Sequence, residues 1–332
     1  MYRGKKLFLI INTGYLGDVV LTSKLTRDIK ANYPDSFSVF IADSPYIELA
    51  KGLPGVDETF EYDRKKCQHL IPFLKFIINF PYKNKIDYAF IPNHKKANRF
   101  ILAKILGAKK IFGISNLPIS EHGKIRIKNP LHERFAYLTA DMISCINGKF
   151  TNDKDIEYNI PLESQQKIDN YLEQTGIKDN LVAINPQAGD DWKCWNINET
   201  IKFAKELIND GKKIALTGVL KDGPEYINAF NEQIGSNNYL NLIGQTSIPD
   251  LGALYKRCES VISVDTGSMH MACAVGTPTI ALFFRDNHHF WGPLNAEKNP
   301  CLFNSDGISA EEVYEEFKKV LNKKEMLSKA QV

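Results

Sequence analysis

The chain has 332 residues, more than one hydrophobic core usually organises, so two domains are expected. Its net charge of +3 and its 43% hydrophobic content are typical of a soluble globular protein, and its apolar runs are too short to span a bilayer. The chain shows no secretory signal, and its six scattered cysteines include no C-x-x-C pair, nor is there a histidine cluster at zinc spacing. We therefore expect a cytoplasmic protein with reduced thiols and no metal site.

Basic residues are concentrated in the first half of the chain. Residues 1–160 contain 25 Lys/Arg and 16 Asp/Glu, whereas the remainder contains 17 and 23. Residues 61–110 are the most basic part, with 12 Lys/Arg against 3 Asp/Glu. This excess indicates either an anionic partner or a solvated lysine-rich face. No nucleic-acid-binding module accompanies it, so no nucleic acid is expected as a partner.

In chain order, the first half alternates strands and helices. The apolar run at 7–11 predicts a strand buried on both faces, and a turn rich in glycine follows it. Apolar residues then recur at helical spacing as far as Pro34. Further strands are predicted at 37–42, 59–62, 88–91 and 110–114, and helices at 96–106 and 132–146.

The turn after the first strand contains a candidate catalytic residue. Asp18 stands at the start of the predicted helix, beside Gly14 and Gly17, which leave room for a substrate. A carboxylate in this position is either a partner of the helix dipole or a general base, and the residues alone leave both interpretations open. The turn lacks the G-x-G-x-x-G spacing of a dinucleotide site.

A basic cluster precedes an unusually apolar segment at 70–80. Arg64, Lys65 and Lys66 form the cluster. The segment could rest on an anionic membrane surface or pack as a helix against its own sheet. A polar stretch at 147–155 then marks a boundary, and we predict domains at 1–158 and 159–332.

The second half restarts the alternation. Strands are predicted at 181–185 and 213–217, helices at 163–174, 199–209, 224–234 and 251–258, a loop at 288–293, and a final helix at 310–322 that packs back on the first domain. The fold class is therefore α/β, with two Rossmann-like, doubly wound parallel sheets.

Two loops of this half favour an anionic ligand. The strand at 261–264 ends in Asp265-Thr266-Gly267, where Asp or Thr can cap the helix that follows and its first N–H groups can bind an anion. The loop after Asn185 contains Lys193 between two tryptophans. This lysine either neutralises a phosphate or covers the tryptophan faces.

Four motifs, in this order, resemble the lipopolysaccharide heptosyltransferases and their relatives, glycosyltransferase family 9. They are TGYLGDVVLTSKLTRDIKANYP, LPGVDETFEYD, NPQAGDDWKCW and VDTGSMHMACAVGTPTIALF. The resemblance implies a GT-B architecture, in which an N-terminal acceptor-binding domain faces a C-terminal donor-binding domain across a cleft. It also implies inverting, metal-independent transfer of a sugar, heptose from ADP-heptose, to a lipopolysaccharide inner-core or related surface glycan.

The same resemblance implies roles for individual residues. Asp18 would be the catalytic base, and the turn residues Thr13, Gly14 and Gly17 would surround it. The nucleotide-sugar residues would be Lys193, Glu225, Asp265, Thr266, Gly267, Ser268 and His270, and the acceptor residues Arg64, Lys65, Lys66 and Arg134. The expected partners are an ADP-linked nucleotide sugar and an anionic lipid-linked glycan, with peripheral contact to the inner face of the cytoplasmic membrane.

Three other functions stay open on the sequence. The protein could be a member of the same family with another nucleotide sugar, a nucleotide-sugar epimerase of GT-B-like fold, or a non-catalytic protein that binds a nucleotide sugar. Product analysis separates the first two, because an epimerase alters the nucleotide sugar with no acceptor present.

Overall fold

A computed structural model describes residues 2, 4–92, 97–113, 134–151, 153–219 and 223–329. The chain divides into two compact units, Met1–Asn159 and Ile160–Val332. Each unit contains a parallel sheet with helices packed against it. Among the helices of the described ranges, none is both long enough and apolar enough to cross a membrane.

The described part of the first unit contains a five-stranded parallel sheet of order β3-β2-β1-β4-β5. Its strands are β1 (Leu7–Asn12), β2 (Phe37–Ala42), β3 (Glu58–Glu61), β4 (Tyr88–Ile91) and β5 (Lys110–Gly113). Every residue of β1 and β2 is buried, as the uninterrupted apolar run at 7–11 predicts for β1. The strand order reverses between β1 and β4, where ligands bind in sheets of this type.

The helices of the first unit cover this sheet. They are α1 (Leu16–Leu21), α2 (Ser23–Asn32), α3 (Ile47–Lys51), α4 (Leu70–Asn79), α5 (Ala97–Ile105) and α6 (Phe135–Ala140), with 3₁₀ turns at Ser44–Tyr46, Lys66–Gln68 and Asp141–Ile146. The helix predicted at 132–146 is therefore an α-helix followed by a 3₁₀ turn, and its first two positions lie outside the described residues.

A buried ionic cluster ties the polar stretch after α6 to the first unit. The Lys24 ammonium, whose side chain is fully buried on α2, lies 3.1 Å from Asp153 Oδ1. Arg27 binds both Asp153 and Glu157. Because a buried ammonium needs a partner, this pairing holds residues 153–157 on α2, and the division between units falls after them.

The described part of the second unit contains a six-stranded parallel sheet of order β11-β10-β9-β6-β7-β8. Its strands are β6 (Leu181–Asn185), β7 (Lys213–Leu216), β8 (Tyr239–Asn241), β9 (Ser260–Val264), β10 (Thr279–Phe283) and β11 (Cys301–Phe303). Here the order reverses between β6 and β9, which are hydrogen-bonded neighbours. The loops after these two strands therefore meet at the second switch point.

The helices of the second unit end with a long C-terminal helix. They are α7 (Leu162–Gln174), α8 (Ile197–Asn209), α9 (Gly223–Ile234), α10 (Ile248–Arg257), α11 (Gly267–Ala274), α12 (His288–Trp291) and α13 (Ala310–Lys329), with a 3₁₀ turn at Asp191–Lys193. Val313, Phe317 and Val320 of α13 are buried in the core of this unit. That α13 also packs on the first domain stays a prediction.

Three short elements differ from the sequence prediction. Strands β8 and β11 were not predicted, because three residues at a sheet edge show too little of the alternating or apolar pattern. The segment predicted as a loop at 288–293 begins with a single helical turn, α12, whose backbone N–H groups from Phe290 to Gly292 bond back to Asn287 and His288.

Candidate active site

The turn after β1 is closed by Asn12. Its side-chain NH₂ donates to the Asp18 carbonyl at 2.9 Å and to the Thr22 hydroxyl at 2.8 Å. Its side-chain oxygen accepts from the Gly14 N–H at 2.9 Å. One buried amide thus fixes both ends of the predicted glycine turn against the start of α1.

Asp18 is half-buried and occupies the third position of α1. Its Oδ2 accepts from the Tyr15 N–H at 3.0 Å, an interaction that suits an acidic residue in the first turn of a helix. A Cβ atom added to Gly14 would lie 2.2 Å from the same oxygen, so only glycine fits there. The contact to Tyr15 fixes the orientation of the carboxylate, which both interpretations of Asp18 allow.

The predicted acceptor residues differ in their surroundings. Arg64 forms an ion pair with the buried Asp43, and its guanidinium carbon lies 5.7 Å from the Tyr15 ring centroid, beside the turn. Lys65 is exposed, and the exposed Lys66 pairs with Asp63 at 3.1 Å. Arg134 takes the N-cap position of α6. Arg64 is the one for which a contact beside the turn is described, and the roles of the four residues in binding the acceptor stay predictions.

In the second unit, the loop after β6 meets the loop after β9. The Lys193 ammonium lies 2.7 Å from Asp265 Oδ2, and Asp265 is 7% exposed. The same ammonium lies 5.1 Å from the Trp192 ring centroid. Lys193 therefore contacts tryptophan and also stands at the second switch point, so the two interpretations of its role are compatible.

Helix α11 begins at this switch point. Thr266 is its N-cap residue, but its hydroxyl accepts from the Asn185 NH₂ at 3.0 Å and makes no capping bond. The expectation that Asp or Thr caps this helix is therefore wrong for both, since Asp265 is engaged by Lys193. Gly267 and Ser268 form the first turn, where the N-cap residue makes no side-chain capping bond and an anion can be held.

His270 lies on α11, is 4% exposed, and its Nδ1 has no hydrogen-bond partner among the described residues. Burial lowers the pKa of His270 to about 4; the Lys193 charge acts in the same direction and Asp265 opposes it. His270 is therefore neutral at neutral pH. The charges of both members of the ion pair act on His270, and its role in binding the donor stays a prediction.

His270 should make the second unit sensitive to acid. Its pKa falls from 6.5 in the unfolded chain to about 4 in the folded one, so the unfolded state binds more protons between those values. The free energy of unfolding should decrease by about 3 kcal/mol as the pH falls through this window. In His270→Met, that part of the pH dependence should disappear.

The three tryptophans, Trp192, Trp195 and Trp291, all lie in the second unit, so urea unfolding followed by tryptophan fluorescence reports on that unit. His289→Gln, on an exposed side chain, is the matched control and should keep the wild-type pH dependence. If the free energy of unfolding depends on pH in the same way for His270→Met and the wild type, His270 is not the group that makes the second unit sensitive to acid.

Sequence reasoning missed several polar residues around Asp265. Asn185, the last residue of β6, contacts Thr266, and Asn287 Nδ2 lies 3.4 Å from Asp265 Oδ2. The guanidinium carbon of Arg285 lies 3.8 Å from the Trp192 ring centroid. Asn185 ends β6, and Arg285 and Asn287 follow β10. Their positions at the carboxyl ends of strands were the sequence signal that could have identified them. The predicted Glu225 belongs to α9, but its side chain lies outside the described residues.

One group of side chains in the described ranges could hold a metal ion. Ligand atoms of Asp286, His288 and His289 lie within 4.8 Å of one another. Asp286 and His289 are exposed, and acidic surface groups of this kind are common without a metal. The expected independence from metal stays a prediction.

Two parallel doubly wound sheets, the second with a lysine and the start of a helix at its switch point, are the features expected of a GT-B glycosyltransferase. Residues 106–320 match the model of glycosyltransferase family 9 (heptosyltransferase), so the chain belongs to this family. This confirms the resemblance that the four motifs indicate and the prediction that the protein is a glycosyltransferase.

Known proteins support the same assignment. Lipopolysaccharide heptosyltransferase 3 of Escherichia coli is 25% identical over 305 residues, which cover 83% of each chain. The glycosyltransferase family 9 structure from Veillonella parvula DSM 2008 has a TM-score of 0.84 at 20% identity, over 96% of this chain and 97% of that one. ADP-heptose lipopolysaccharide heptosyltransferase II of E. coli has a TM-score of 0.76 at 19% identity, over 96% and 99%. The predicted GT-B fold is thereby confirmed.

Proposed function

We propose that the protein transfers heptose from ADP-heptose to an acidic inner-core glycan of lipopolysaccharide, with inversion at the anomeric carbon. The names of its relatives, which include a lipopolysaccharide heptosyltransferase and an ADP-heptose heptosyltransferase, support this choice of donor and acceptor. The structural observation that carries the proposal is the ion pair of Lys193 and Asp265 beside the start of α11.

The proposed donor site uses this ion pair and the first turn of α11. The ammonium of Lys193 and the N–H groups of Gly267 and Ser268 lie at the carboxyl ends of β6 and β9. These hydrogen-bond donors suit the diphosphate of a nucleotide sugar. As the bond from the anomeric carbon to the phosphate oxygen breaks, these groups stabilise the negative charge that develops on the leaving ADP. Asp265 keeps the Lys193 ammonium oriented.

The proposed acid–base chemistry belongs to the first unit. An acceptor hydroxyl attacks the anomeric carbon, its proton passes to the Asp18 carboxylate, and ADP departs with the electron pair of the broken bond. The hydrogen bond from Tyr15 to Asp18 Oδ2 supports this role, because it restricts the rotamers of the carboxylate.

The test is a transfer assay with purified protein, ADP-heptose and a core-truncated lipopolysaccharide. We expect one ADP released for each heptose gained by the acceptor, and thermal stabilisation by ADP but not by UDP, GDP or CDP; a ligand at 100 times its Kd adds about 2.7 kcal/mol. An altered nucleotide sugar without acceptor would identify an epimerase. Binding without turnover would identify a non-catalytic protein.

We also propose that transfer needs no metal ion, since Lys193 and the start of α11 supply the charge for the diphosphate. Activity should be unchanged after incubation with EDTA and removal of the chelate. Strong inhibition that Mg²⁺ reverses would contradict this. Inhibition that Zn²⁺ alone reverses, and a similar loss of activity in His288→Gln without chelator, would point to the Asp286, His288 and His289 group.

The proposed lipid-linked acceptor requires the enzyme to reach the inner face of the cytoplasmic membrane, and α4 offers a surface for this. Ile77 of α4 is buried against the sheet, while Leu70, Ile71 and Ile78 are 70%, 80% and 76% exposed. Ile71 and Ile78 are seven positions apart, so they lie on one face of the helix, whereas Leu70 is its first residue. The buried Ile77 supports the interpretation of this segment as a helix packed on its own sheet, and the exposed apolar residues support its interpretation as a membrane-binding surface.

Exposed basic residues precede, follow and interrupt α4 in the sequence. They are Lys65, Lys66, Lys75, Lys83 and Lys85. An apolar stripe bordered by lysines is complementary to anionic lipid, because apolar side chains enter the acyl boundary while ammonium groups remain at the headgroups. We propose an anionic bilayer as the occupant of this surface.

Replacing Ile71 and Ile78 together by serine should weaken binding to vesicles of phosphatidylcholine and phosphatidylglycerol by about tenfold or more, since each residue loses several buried CH₂ groups. Flotation or sedimentation with these vesicles measures the effect. Ile101→Ser, on the 54% exposed Ile101 of α5, is the matched control and should bind normally. Equal binding by all three proteins would exclude α4 as the membrane surface.

A further inference from the structure

A buried arginine stands at the switch point of the first sheet. Arg99 follows β4 on α5, and its Nε donates to the Thr13 hydroxyl at 2.7 Å. Thr13 follows β1, the strand that pairs with β4. Arg99 therefore joins the two loops between which a sheet of this order binds its ligands, and it does so one residue from Gly14.

The Arg99 guanidinium is 3% exposed. Its guanidinium carbon lies 4.8 Å from the Tyr62 ring centroid, and among the residues that the structure describes no carboxylate forms an ion pair with it. Asp43, the carboxylate whose charge acts on it, accepts from the Arg64 N–H at 2.9 Å and from the Arg64 side chain. Burial lowers the pKa of Arg99, and so does the positive charge of Arg64.

A buried guanidinium without a carboxylate partner is costly, unless a ligand supplies the missing negative charge. A cavity of about 890 Å³ lies against it. Tyr62, Arg64 and Lys65 line this cavity together with Arg99. Two carboxylates line it as well, but each has a basic partner: Asp43 pairs with Arg64, and Asp63 pairs with Lys66. Three basic side chains thus face one space, and the planar guanidinium offers paired N–H groups that match a carboxylate or a phosphate.

From these contacts we infer that the cavity binds an oxyanion, a carboxylate or phosphate group, through Arg99, with Arg64 and Lys65 contributing further charge. Its use for the acceptor rests on the proposed function, because it places an acidic group of the glycan beside the turn that carries Asp18. The requirement for an anion in the cavity does not rest on that function.

The first experiment measures anion binding without catalysis. Inorganic phosphate is titrated into the full-length protein labelled with ¹⁵N-arginine, and the Nε–H resonance of Arg99, assigned through its covalent neighbours, is followed by NMR. A saturable shift of this resonance is expected, with only a weak linear drift for Arg257, which pairs with Asp169 in the second unit. The absence of a saturable shift, or equal shifts at both arginines, would overturn the inference.

The second experiment measures steady-state kinetics of Arg99→Gln and Arg99→Lys in the transfer assay. The KM for the acceptor should rise about 10- to 100-fold with an unchanged KM for the donor, and lysine should retain more function than glutamine. Acceptors that have been dephosphorylated or methyl-esterified show which group binds Arg99. The difference in acceptor KM between the variants and the wild type should disappear for the acceptor that lacks this group.

A purely structural role of Arg99 has a different signature. It would lower the Tm and the kcat of Arg99→Gln while leaving the acceptor KM unchanged, and that result would overturn the inference even where transfer occurs. Where no heptose transfer is detected at all, the proposed function fails, and the phosphate titration still decides whether the anion site exists.

Discussion

Asp18→Asn should lower the turnover of sugar transfer by about 10²- to 10⁴-fold, the range for loss of a general base. The affinity for ADP should stay within about twofold of the wild type, because the proposed donor groups belong to the second unit. Asparagine lacks a carboxylate to accept the proton of the attacking hydroxyl. Initial rates at saturating donor and acceptor, together with calorimetric titration of ADP, measure the two quantities.

The contact between Tyr15 and Asp18 makes asparagine the more informative replacement. The side-chain oxygen of the substituted asparagine can still accept from the Tyr15 N–H, which now lies 3.0 Å from Asp18 Oδ2. Alanine removes that bond as well, at a cost of about 1 kcal/mol of stability. A large loss of turnover in both variants, with loss of stability confined to Asp18→Ala, separates the chemical role from the helix-start role.

Asp57→Asn is the matched control in the same unit. Asp57 also accepts a backbone N–H, that of Ser38 at 2.7 Å. It directly precedes β3 and so lies at the amino-terminal ends of the parallel strands, whereas Asp18 follows the carboxyl end of β1. Its turnover should be close to that of the wild type. Near-normal turnover of Asp18→Asn would remove Asp18 from the mechanism and leave only its role at the start of α1.

The parts of the fold that the sequence predicts are those with a local signal. Strands β1, β2, β4 and β6 are predominantly apolar segments that are buried almost throughout, so their positions follow from the chain alone. Strands β8 and β11 have three residues each and occupy the edges of their sheet, where neighbouring strands rather than pattern determine pairing.

The candidate site divides in the same way. Asp18 and Thr266 could be found from the sequence, because each lies within a single strand-turn-helix segment. The contacts of Lys193 with Asp265 and of Arg99 with Thr13 join loops 72 and 86 positions apart. They depend on which strands are neighbours, and composition and spacing do not determine strand order. The hydroxyl of Thr266 fails to cap α11 for the same reason, because Asn185 comes from β6.

Lys193→Met should lower kcat/KM by about 10²- to 10³-fold, the usual loss when one preorganised donor to a developing negative charge is removed. Part of the loss should appear in the donor KM, because the ammonium also binds the ground-state diphosphate. Lys193→Arg keeps the charge and should recover part of the activity. Steady-state kinetics with ADP-heptose varied at saturating acceptor measure these effects.

Removing Lys193 also leaves the carboxylate of Asp265, 7% exposed, without its ammonium partner, so loss of stability must be separated from loss of function. Lys167→Met is the matched control, since it deprives the 4% exposed Asp250 of an ammonium at 2.5 Å in the same unit. Both variants should unfold at lower urea concentration by tryptophan fluorescence, but only Lys193→Met should lose activity. If the double variant Lys193→Met, Asp265→Asn regains stability and activity together, the ammonium has no direct role in binding the diphosphate; stability without activity is the expected outcome.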